Sequence, residues 1–276
     1  MTALCRTATL PEVVRMLDWA AEEGWNPGLD DAEAFYAADP DGFFVAEVDS
    51  EPVAAISVVN HSDEFAFLGL YLCHPVYRGQ GIGFALWQHA LQHAGTRSVG
   101  LDGVPAQEAN YAKSGFELVD RTRRLTGEFT AEALTLPLAG SEDGAGLARL
   151  DRAATGLSRD RFLHAWLQQE PTRKTVVLRE GARVRGFATA RRCRDGVKVG
   201  PVIAPDAKAA MTLARQAAAA LAATPVIIDV PDSASDFGHQ LRELGFTEGF
   251  STARMFRGPA PVTDGSQHAV ASLELG

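Results

Sequence analysis

The sequence has few cysteines and no apolar run long enough to cross a membrane. Its three cysteines, Cys5, Cys73 and Cys193, are too far apart for a paired zinc motif or a disulfide framework. A reducing compartment suits such a chain best, so we expect a cytoplasmic protein. The opening stretch lacks the charged n-region and the apolar core of a signal peptide, so we expect neither export nor a membrane span.

Positive charge is scarce in the first half of the chain. Residues 1–130 hold 8 Lys and Arg against 19 Asp and Glu, a formal net charge of −11, whereas residues 131–276 hold 18 against 16, or +2. An acidic first half argues against nucleic acid as a partner. It mildly favours a cationic acceptor such as an amine, although acidic residues that only keep this half soluble explain it equally well.

Motifs for covalent and metal catalysis are also missing. GxSxG does not occur, and no Cys, His and acid constellation follows from the spacing. His89 and His93 have the i,i+4 spacing of a metal pair, but neither a third ligand nor an HExxH context accompanies them. We therefore expect a reaction that uses neither a covalent nucleophile nor a metal.

A strand, a glycine-rich turn and a helix follow one another from residue 65 to residue 94. Phe65–Cys73 is apolar and predicts a strand, and the residues after Gly83 have the periodicity of an amphipathic helix. Between them lies RGQGIG, residues 78–83, whose alternate glycines let the backbone approach a ligand with its N–H groups turned inward. The helix dipole points its positive end at the same place, which is typical of a pyrophosphate site.

This turn resembles the acetyl-CoA loop of the GNAT N-acetyltransferase superfamily, in which Arg or Gln, then x-x-Gly-x-Gly or Ala, directly follows a strand. Arg78, Gly81 and Gly83 fill that pattern. A second segment, residues 110–116 with the sequence NYAKSGF, is similar to the family's later Tyr-x-Lys-x-Gly-Phe stretch. Two motifs in the family's order are more specific than either one alone.

A Rossmann dinucleotide fingerprint is the competing interpretation, because Asp102 lies about 20 residues past the glycines, where a ribose-binding acid belongs. However, Phe84 stands where the third glycine is required. The strands predicted at 43–48, 53–60 and 65–73 follow one another through short turns and so form an antiparallel meander. A Rossmann unit needs helical crossovers at those points, which disfavours it.

The resemblance implies how acetyl-CoA, the expected cosubstrate, is held. The pyrophosphate would lie on the turn formed by Arg78, Gly79, Gln80, Gly81, Ile82 and Gly83. The pantetheine arm would bond to the free edge of the strand around Leu72 and Cys73, where that strand splays from the one predicted at 98–101. A backbone N–H there would polarise the thioester carbonyl.

By the same resemblance Tyr111 is the general acid that protonates the departing CoA sulfur; the alternative is a tyrosine that only packs on the pantetheine. The general base stays open. Glu64 and Asp63 start the strand that leads to the acetyl group, and Asp102 follows the neighbouring strand. His74 is close in sequence but lies in the turn, where it is less well placed to face the acetyl group.

The pattern of the first half begins again in the second. Gly115-Phe116 and Gly245-Phe246 are 130 residues apart, and the same offset places the strand at 43–48 over residues 175–180. The chain thus resembles a tandem subgroup whose second GNAT domain has diverged. Residues 200–207, GPVIAPDA, stand where the second glycine loop belongs but lack its Arg and spaced glycines, so we expect no CoA there.

The predicted fold is α/β with mixed α+β character, built of two GNAT-like domains. Each is a twisted, mostly antiparallel sheet flanked by helices, with a splayed cofactor cleft in the first. Residues 1–130 form the first domain, which a hairpin of 116–119 and 123–125 is expected to close, and residues 131–258 form the second. Residues 259–276, with Pro, Gly and Ser, are expected to be a loosely ordered tail.

Two further expectations concern aromatic and basic residues. In the family fold the loop between the first two helices borders the acceptor pocket, so Trp25 and Phe35 are candidates to line it; the favoured alternative places both in the core. The basic run at residues 191–194 is expected to be a solvated hairpin tip, with an anion site as the alternative.

Together these features predict an acetyl-CoA-dependent N-acetyltransferase. It would move an acetyl group to a primary amine of a small molecule or peptide by direct attack on the thioester, with the acceptor pocket near the junction of the domains. The alternative is an acyl-CoA-binding sensor or interaction module without turnover. Neither a nucleic-acid nor a membrane partner is expected, and the oligomeric state is open.

Overall fold

The computed structural model describes residues 3–276, which form one twelve-stranded, mostly antiparallel sheet with helices on its faces. The strands are β1 Leu4–Thr7, β2 Phe43–Val48, β3 Glu51–Asn60, β4 Phe65–Cys73, β5 Ser98–Gly103, β6 Glu117–Gly127, β7 Arg173–Glu180, β8 Arg183–Arg192, β9 Val197–Ile203, β10 Val226–Pro231, β11 Thr247–Arg257 and β12 Gln267–Ala269. The helices are α1 Leu10–Glu22, α2 Asp31–Ala38, α3 Ile82–Leu91, α4 Glu108–Lys113, α5 Gly144–Thr155, α6 Asp160–Trp166, α7 Ala207–Leu221 and α8 Ser235–Glu243. Within residues 3–276 none of these helices is long and apolar enough to cross a membrane.

Helix α1 begins at a capping box formed by Thr9 and Glu12. The Glu12 carboxylate accepts a hydrogen bond of 2.8 Å from the Thr9 backbone N–H, which satisfies a donor that the helix leaves unpaired. Its apolar face, which includes Met16 and Leu17, is buried against the sheet and α2. The connection between α1 and α2 is thereby held near the middle of the molecule.

Strands β2, β3 and β4 form the predicted antiparallel meander, and β5 then pairs parallel with β4. The short connections between the first three strands contain no crossover helix, so the Rossmann interpretation is wrong. Strands β7, β8 and β9 repeat the meander in the second half, and β10 pairs parallel with β9. The fold class predicted from the sequence is confirmed.

The two halves exchange their last long strands. In the order β4-β5-β11-β6-β10-β9, strand β11 of the second half lies beside β5 of the first, and β6 of the first half lies beside β10 of the second. β6 is one continuous strand over residues 117–127, so the predicted closing hairpin is wrong. Strands from both sides of the proposed boundary at residue 130 thus belong to one continuous sheet, and that boundary stays a prediction.

The segment after residue 258 is incorporated into the fold. β12 pairs antiparallel with β9, and apolar residues such as Val270 and Leu275 are buried. The expectation of a loosely ordered tail is therefore wrong for residues 267–276. Composition misled here because a segment with little apolar surface of its own can still be ordered when its backbone completes a sheet formed by other strands.

Arg191 is buried, although the basic run was expected to be a solvated hairpin tip. Its Nε donates to Oδ2 of Asp31 at 3.1 Å, and its guanidinium lies 4.6 Å from the centre of the Trp166 ring. The expectation fails because α2 of the first half supplies a buried carboxylate partner. This ion pair is one of the contacts that join the two halves.

Candidate active site

A cavity of about 460 Å³ opens where strands β4 and β5 part. The two strands pair only from Phe65–Leu68 to Ser98–Leu101. Past Leu68, β4 continues to Cys73 along the cavity without β5, whose other edge pairs with β11 through residues 99–103. The splayed cleft expected from the sequence is therefore present, with the edge of β4 as one wall.

A β-bulge turns this edge toward the cavity. Ala55 pairs with Leu72 and Ser57 with Gly69, so Leu70 and Tyr71 together oppose Ile56 alone. Leu70 has φ +48°, a left-handed conformation that is uncommon for a residue with a side chain. Bulges of this kind bend a strand and re-aim its groups, and they are frequent next to active sites.

The glycine turn between β4 and α3 forms one end of the cavity. Gly79 and Gly81 have φ +75° and +81°, and a Cβ at either position would meet nothing within 4 Å. Glycine is thus required there by the backbone conformation and not by crowding. The N–H groups of Ile82, Gly83 and Phe84 begin α3 and have no carbonyl partner in the preceding turn, which suits an anion.

Most of the predicted cofactor-binding residues lie around this cavity. Those that line it are Leu72, Cys73, Arg78, Gly79, Gly81 and Gly83. Gln80 and Ile82 do not: the Gln80 amide donates to the Val76 carbonyl, and the Ile82 side chain is buried in the core. Any contact from these two residues to a ligand would have to come from the backbone.

Arg78 is held in place at the rim of the turn. Its Nε donates to the Cys73 carbonyl at 2.8 Å, and its guanidinium pairs with Glu23 at the end of α1. Its side chain is half exposed. Since the ion pair is exposed, it contributes little to stability and the guanidinium can exchange Glu23 for a bound anion at small cost.

Tyr111 lines the cavity from helix α4. Its ring stacks on Trp87 with centroids 5.6 Å apart and an interplanar angle of 20°. Burial raises the pKa of its phenol to about 12, and the nearby Tyr71 adds to that shift. The phenol therefore keeps its proton at neutral pH and can donate it.

Asp102 also lines the cavity, but its carboxylate is occupied. Nε and Nη2 of Arg254 donate to its two oxygens at 2.9 and 2.6 Å. The side chain is fully buried, which raises its pKa, while the Arg254 charge opposes that rise. An oxygen that already accepts an arginine bond is poorly placed to accept an amine proton, so the predicted role as base gains no support.

Glu64, Asp63 and His74 do not meet at the cavity. Glu64 is exposed at the start of β4, about 30 Å along the strand from Cys73 at roughly 3.3 Å per residue. Asp63 is also exposed and pairs with Arg97 at 3.4 Å. His74 is exposed in the turn. Glu64 does not line the cavity, so its predicted role as a general base gains no support.

A second wall of the cavity comes from parts of the chain that are distant in sequence. It consists of Trp25, Arg124, Phe250, Thr252, Leu273 and Glu274. Only Trp25 was a candidate; Phe35, the other aromatic considered, is core and stacks on Trp166. No local motif marks the remaining five, since strand exchange and the path of the last segment bring them here.

Buried charges hold this wall together. Arg124 on β6 makes a bidentate ion pair with Asp229 on β10, at 2.7 and 2.9 Å. Arg124 and Lys198 each donate a 2.9 Å hydrogen bond to the Trp25 carbonyl. Burial lowers the pKa of Lys198, and the neighbouring Arg124 lowers it further. The loop after α1 is thus fixed by residues of both halves.

The corresponding cleft in the second half is filled by the chain itself. β9 and β10 pair only from Val197-Lys198 to Val226-Ile227 and then part. β12 lies in the gap, paired with the end of β9, and the Val270 N–H donates to the Asp229 carbonyl at 3.0 Å. A Cβ on Gly200 would lie 2.0 Å from the Val270 carbonyl oxygen, so the packing leaves no room.

The helix that follows this filled cleft already has an anionic cap. The Asp206 carboxylate accepts a hydrogen bond of 2.8 Å from the Ala209 N–H at the start of α7. It occupies the end of the helix that is left open at α3 in the first half. A phosphate there would meet a carboxylate in place of free N–H groups.

Comparison with known proteins covers both halves of the chain. The model of the acetyltransferase (GNAT) family matches residues 10–116, and that of an acetyltransferase (GNAT) domain matches residues 147–269. A curated relative, holothin acyltransferase of Pseudoalteromonas sp. (strain SANK 73390), is 37% identical in an alignment that spans 98% of this chain and 94% of that protein.

Solved structures share the fold over nearly the whole length. A protein from Pyrococcus horikoshii has a TM-score of 0.82 and 20% identity, covering 99% of this chain and 96% of its own. A tandem GNAT protein from the clavulanic acid biosynthesis pathway has a TM-score of 0.62 and 16% identity, covering 94% and 100%. These likenesses extend across both halves of the sheet.

Proposed function

Since this chain belongs to the GNAT acetyltransferase family and is an acyltransferase, we propose that it transfers the acetyl group of acetyl-CoA to a primary amine of a small molecule or peptide. The observation that carries the proposal is the single cleft that joins an anion-binding turn, an unpaired strand edge and a buried tyrosine. The corresponding cleft in the second half is filled by β12.

In this proposal acetyl-CoA enters from the glycine turn. The free N–H groups at the start of α3 and the Arg78 guanidinium bind the pyrophosphate. The pantetheine arm runs along residues 69–73 of β4, whose side toward β5 has no strand partner within residues 3–276. A backbone N–H of this edge then polarises the thioester carbonyl.

The chemistry is direct transfer. The neutral amine nitrogen attacks the carbonyl carbon, a C–N bond forms, the C–S bond breaks and the amine gives up one proton. The CoA sulfur leaves with the electron pair of the C–S bond and takes a proton from the Tyr111 phenol, which burial keeps protonated. The proton lost by the amine passes to solvent and solvent returns one proton to the phenolate, which restores the starting state.

The acceptor is proposed to lie on the wall formed by Trp25, Phe250 and Leu273. These side chains give the cavity an apolar surface at the junction of the two halves. Because loops and exchanged strands supply this wall, its shape varies independently of the cofactor turn and sets acceptor preference.

Thiol release from acetyl-CoA tests the proposal. The purified chain is incubated with acetyl-CoA and a panel of small amines, polyamines, aminoglycosides and peptides, with holothin included because of the relative's name. The proposal predicts thiol release that depends on at least one amine, with the acetylated amine found by mass spectrometry. Binding of acetyl-CoA without amine-dependent release would favour the sensor alternative.

A further inference from the structure

We propose that Glu274, near the end of the described chain, is the general base that takes the proton of the attacking amine; this inference rests on the proposed function. Two carboxylic side chains line the cavity, those of Asp102 and Glu274. Asp102 is bound through both oxygens by Arg254. Glu274 is therefore the carboxylate left to act on a substrate there.

The Glu274 carboxylate is buried yet unpaired. The residue is only 3% exposed. Within residues 3–276 its carboxylate makes neither a hydrogen bond nor an ion pair within 4.0 Å. Neither oxygen is among the fully buried side-chain atoms that lack a partner, so both reach open space. Since a buried charge normally has a partner, an open carboxylate facing a cavity points to a ligand that supplies one.

The backbone holds Glu274 close to the proposed path of the thioester. The Glu274 carbonyl oxygen would lie 2.1 Å from a Cβ on Gly69, so only glycine at that position of β4 lets the segment approach so closely. Gly69 directly precedes Leu70, the bulged residue of the strand edge. The base and the polarised carbonyl would thus face the same stretch of β4.

Four contacts outside the cavity fix the segment that carries Glu274. The Val270 N–H donates to the Asp229 carbonyl, and Arg191 donates to the Ala271 carbonyl at 2.8 Å. His61 Nε2 lies 2.8 Å from the Leu275 carbonyl, and Arg159 donates to the Gly276 carbonyl. These contacts fix the backbone on both sides of Glu274, so its side chain has less freedom to lose when it accepts a proton.

The charged groups around Glu274 have partners of their own. The cations that face it are Arg124 on β6, Arg191 on β8 and Lys198 on β9, with Asp229 on β10 among them. Arg124 pairs with Asp229, Arg191 with Asp31, and Lys198 donates to the Trp25 carbonyl. These bonds leave the Glu274 carboxylate free for the amine while still surrounding it with positive charge.

The test is Glu274→Gln, which keeps the size of the side chain but removes its basicity. We expect kcat/KM for the amine to fall by about 10²- to 10⁴-fold, with acetyl-CoA affinity unchanged in calorimetry. The rate of the variant should keep rising with pH where that of the wild type has levelled off, because hydroxide must replace the carboxylate. A merely structural loss would lower the rate by the same factor at every pH.

Glu117→Gln is the matched control, because Glu117 is exposed at the start of β6 outside the cavity and its substitution should leave the rate unchanged. Glu274→Asp, which keeps a shorter carboxylate, should recover part of the activity with the wild-type form of pH profile. A Glu274→Gln rate within threefold of the wild type at each pH would overturn the assignment of the base. Absence of amine-dependent thiol release from the wild type would instead overturn the proposed function.

Discussion

The Tyr111 phenol lies in a site built to keep it protonated. Its ring is stacked on Trp87, and burial raises its pKa to about 12. Such a group is a weak acid toward water but an effective proton donor to a thiolate formed beside it. Its proton is present throughout the pH range in which an enzyme of this kind is assayed.

Tyr111→Phe should therefore lower kcat by about 10²- to 10⁴-fold while leaving acetyl-CoA affinity nearly intact. The lost group is the hydroxyl alone, since the phenylalanine ring can keep the stacking on Trp87. Steady-state kinetics with a saturating amine and calorimetry with acetyl-CoA measure the two effects separately.

Tyr36→Phe is the control for this substitution, because Tyr36 packs against Phe43 away from the cavity and should retain the wild-type rate. An unchanged kcat in Tyr111→Phe would remove Tyr111 from the mechanism. If kcat of the wild type fell as the pH rose through neutrality and Tyr111→Phe removed that fall, the raised pKa of Tyr111 would be contradicted.

Sequence position indicates single residues well only where a motif ties them to a local turn. Gly79 and Gly81 were predicted because their pattern and the positive φ that it needs are local. Glu64 does not line the cavity, because nearness in sequence to a functional strand does not say which end of the strand faces the ligand. Glu274 was missed because nothing local distinguishes it from an exposed glutamate near the end of the chain.

At the scale of elements, the turn from β4 to α3 is the part that binds the cofactor in this account. Gly81→Glu should raise the Kd for acetyl-CoA by at least about 100-fold, as measured by calorimetry. The new side chain would need an unfavourable left-handed backbone, and its carboxylate would stand where the free N–H groups bind the pyrophosphate.

Gly245→Glu provides the matched control for strain. Gly245 has φ +91°, and a Cβ there would also meet nothing within 4 Å, but it lies between α8 and β11 away from the cavity. Its substitution should leave acetyl-CoA affinity within about threefold of the wild type. Equal loss of affinity in both variants would show that strain, and not the turn, accounts for the effect.

Most elements were predictable from the sequence because their signals are local. Runs of apolar residues mark β2, β3 and β4, and β2 and β4 have the bounds that the sequence predicted. The partners of β6 and β11 were not predictable, since both copies of a duplicated strand satisfy the same pattern. Which copy pairs with which neighbour depends on the whole sheet.

At the scale of the whole molecule, the exchange of β6 and β11 makes each half depend on the other. β5 is completed by β11, and β6 has β10 and β11 as its two neighbours. Arg124 and Asp229 add a buried ion pair across the same junction. Breaking such a pair by removing one partner typically costs about 3–5 kcal/mol, so the halves should unfold together.

Residues 1–130 produced alone should therefore fail to form a stable domain and should not bind acetyl-CoA. The fragment would expose the unpaired edge of β5 and both edges of β6. Circular dichroism, limited proteolysis and calorimetry measure its state, and adding residues 131–276 should restore binding. The full chain cut once near residue 132, in an exposed stretch, is the control and should stay assembled.

A fragment of residues 1–130 that unfolds cooperatively and binds acetyl-CoA like the full chain would contradict this dependence. It would also support the predicted boundary at residue 130 as a physical one. Two separate unfolding transitions in the intact chain would point the same way.

The most direct test of the central claim is calorimetric titration of the intact chain with acetyl-CoA. The account predicts one site per chain, because the first cleft is open between the glycine turn and β4 whereas β12 and Asp206 occupy the equivalent places in the second half. A stoichiometry of one that Gly81→Glu abolishes is the expected result. Two sites, or no binding at all, would contradict the account.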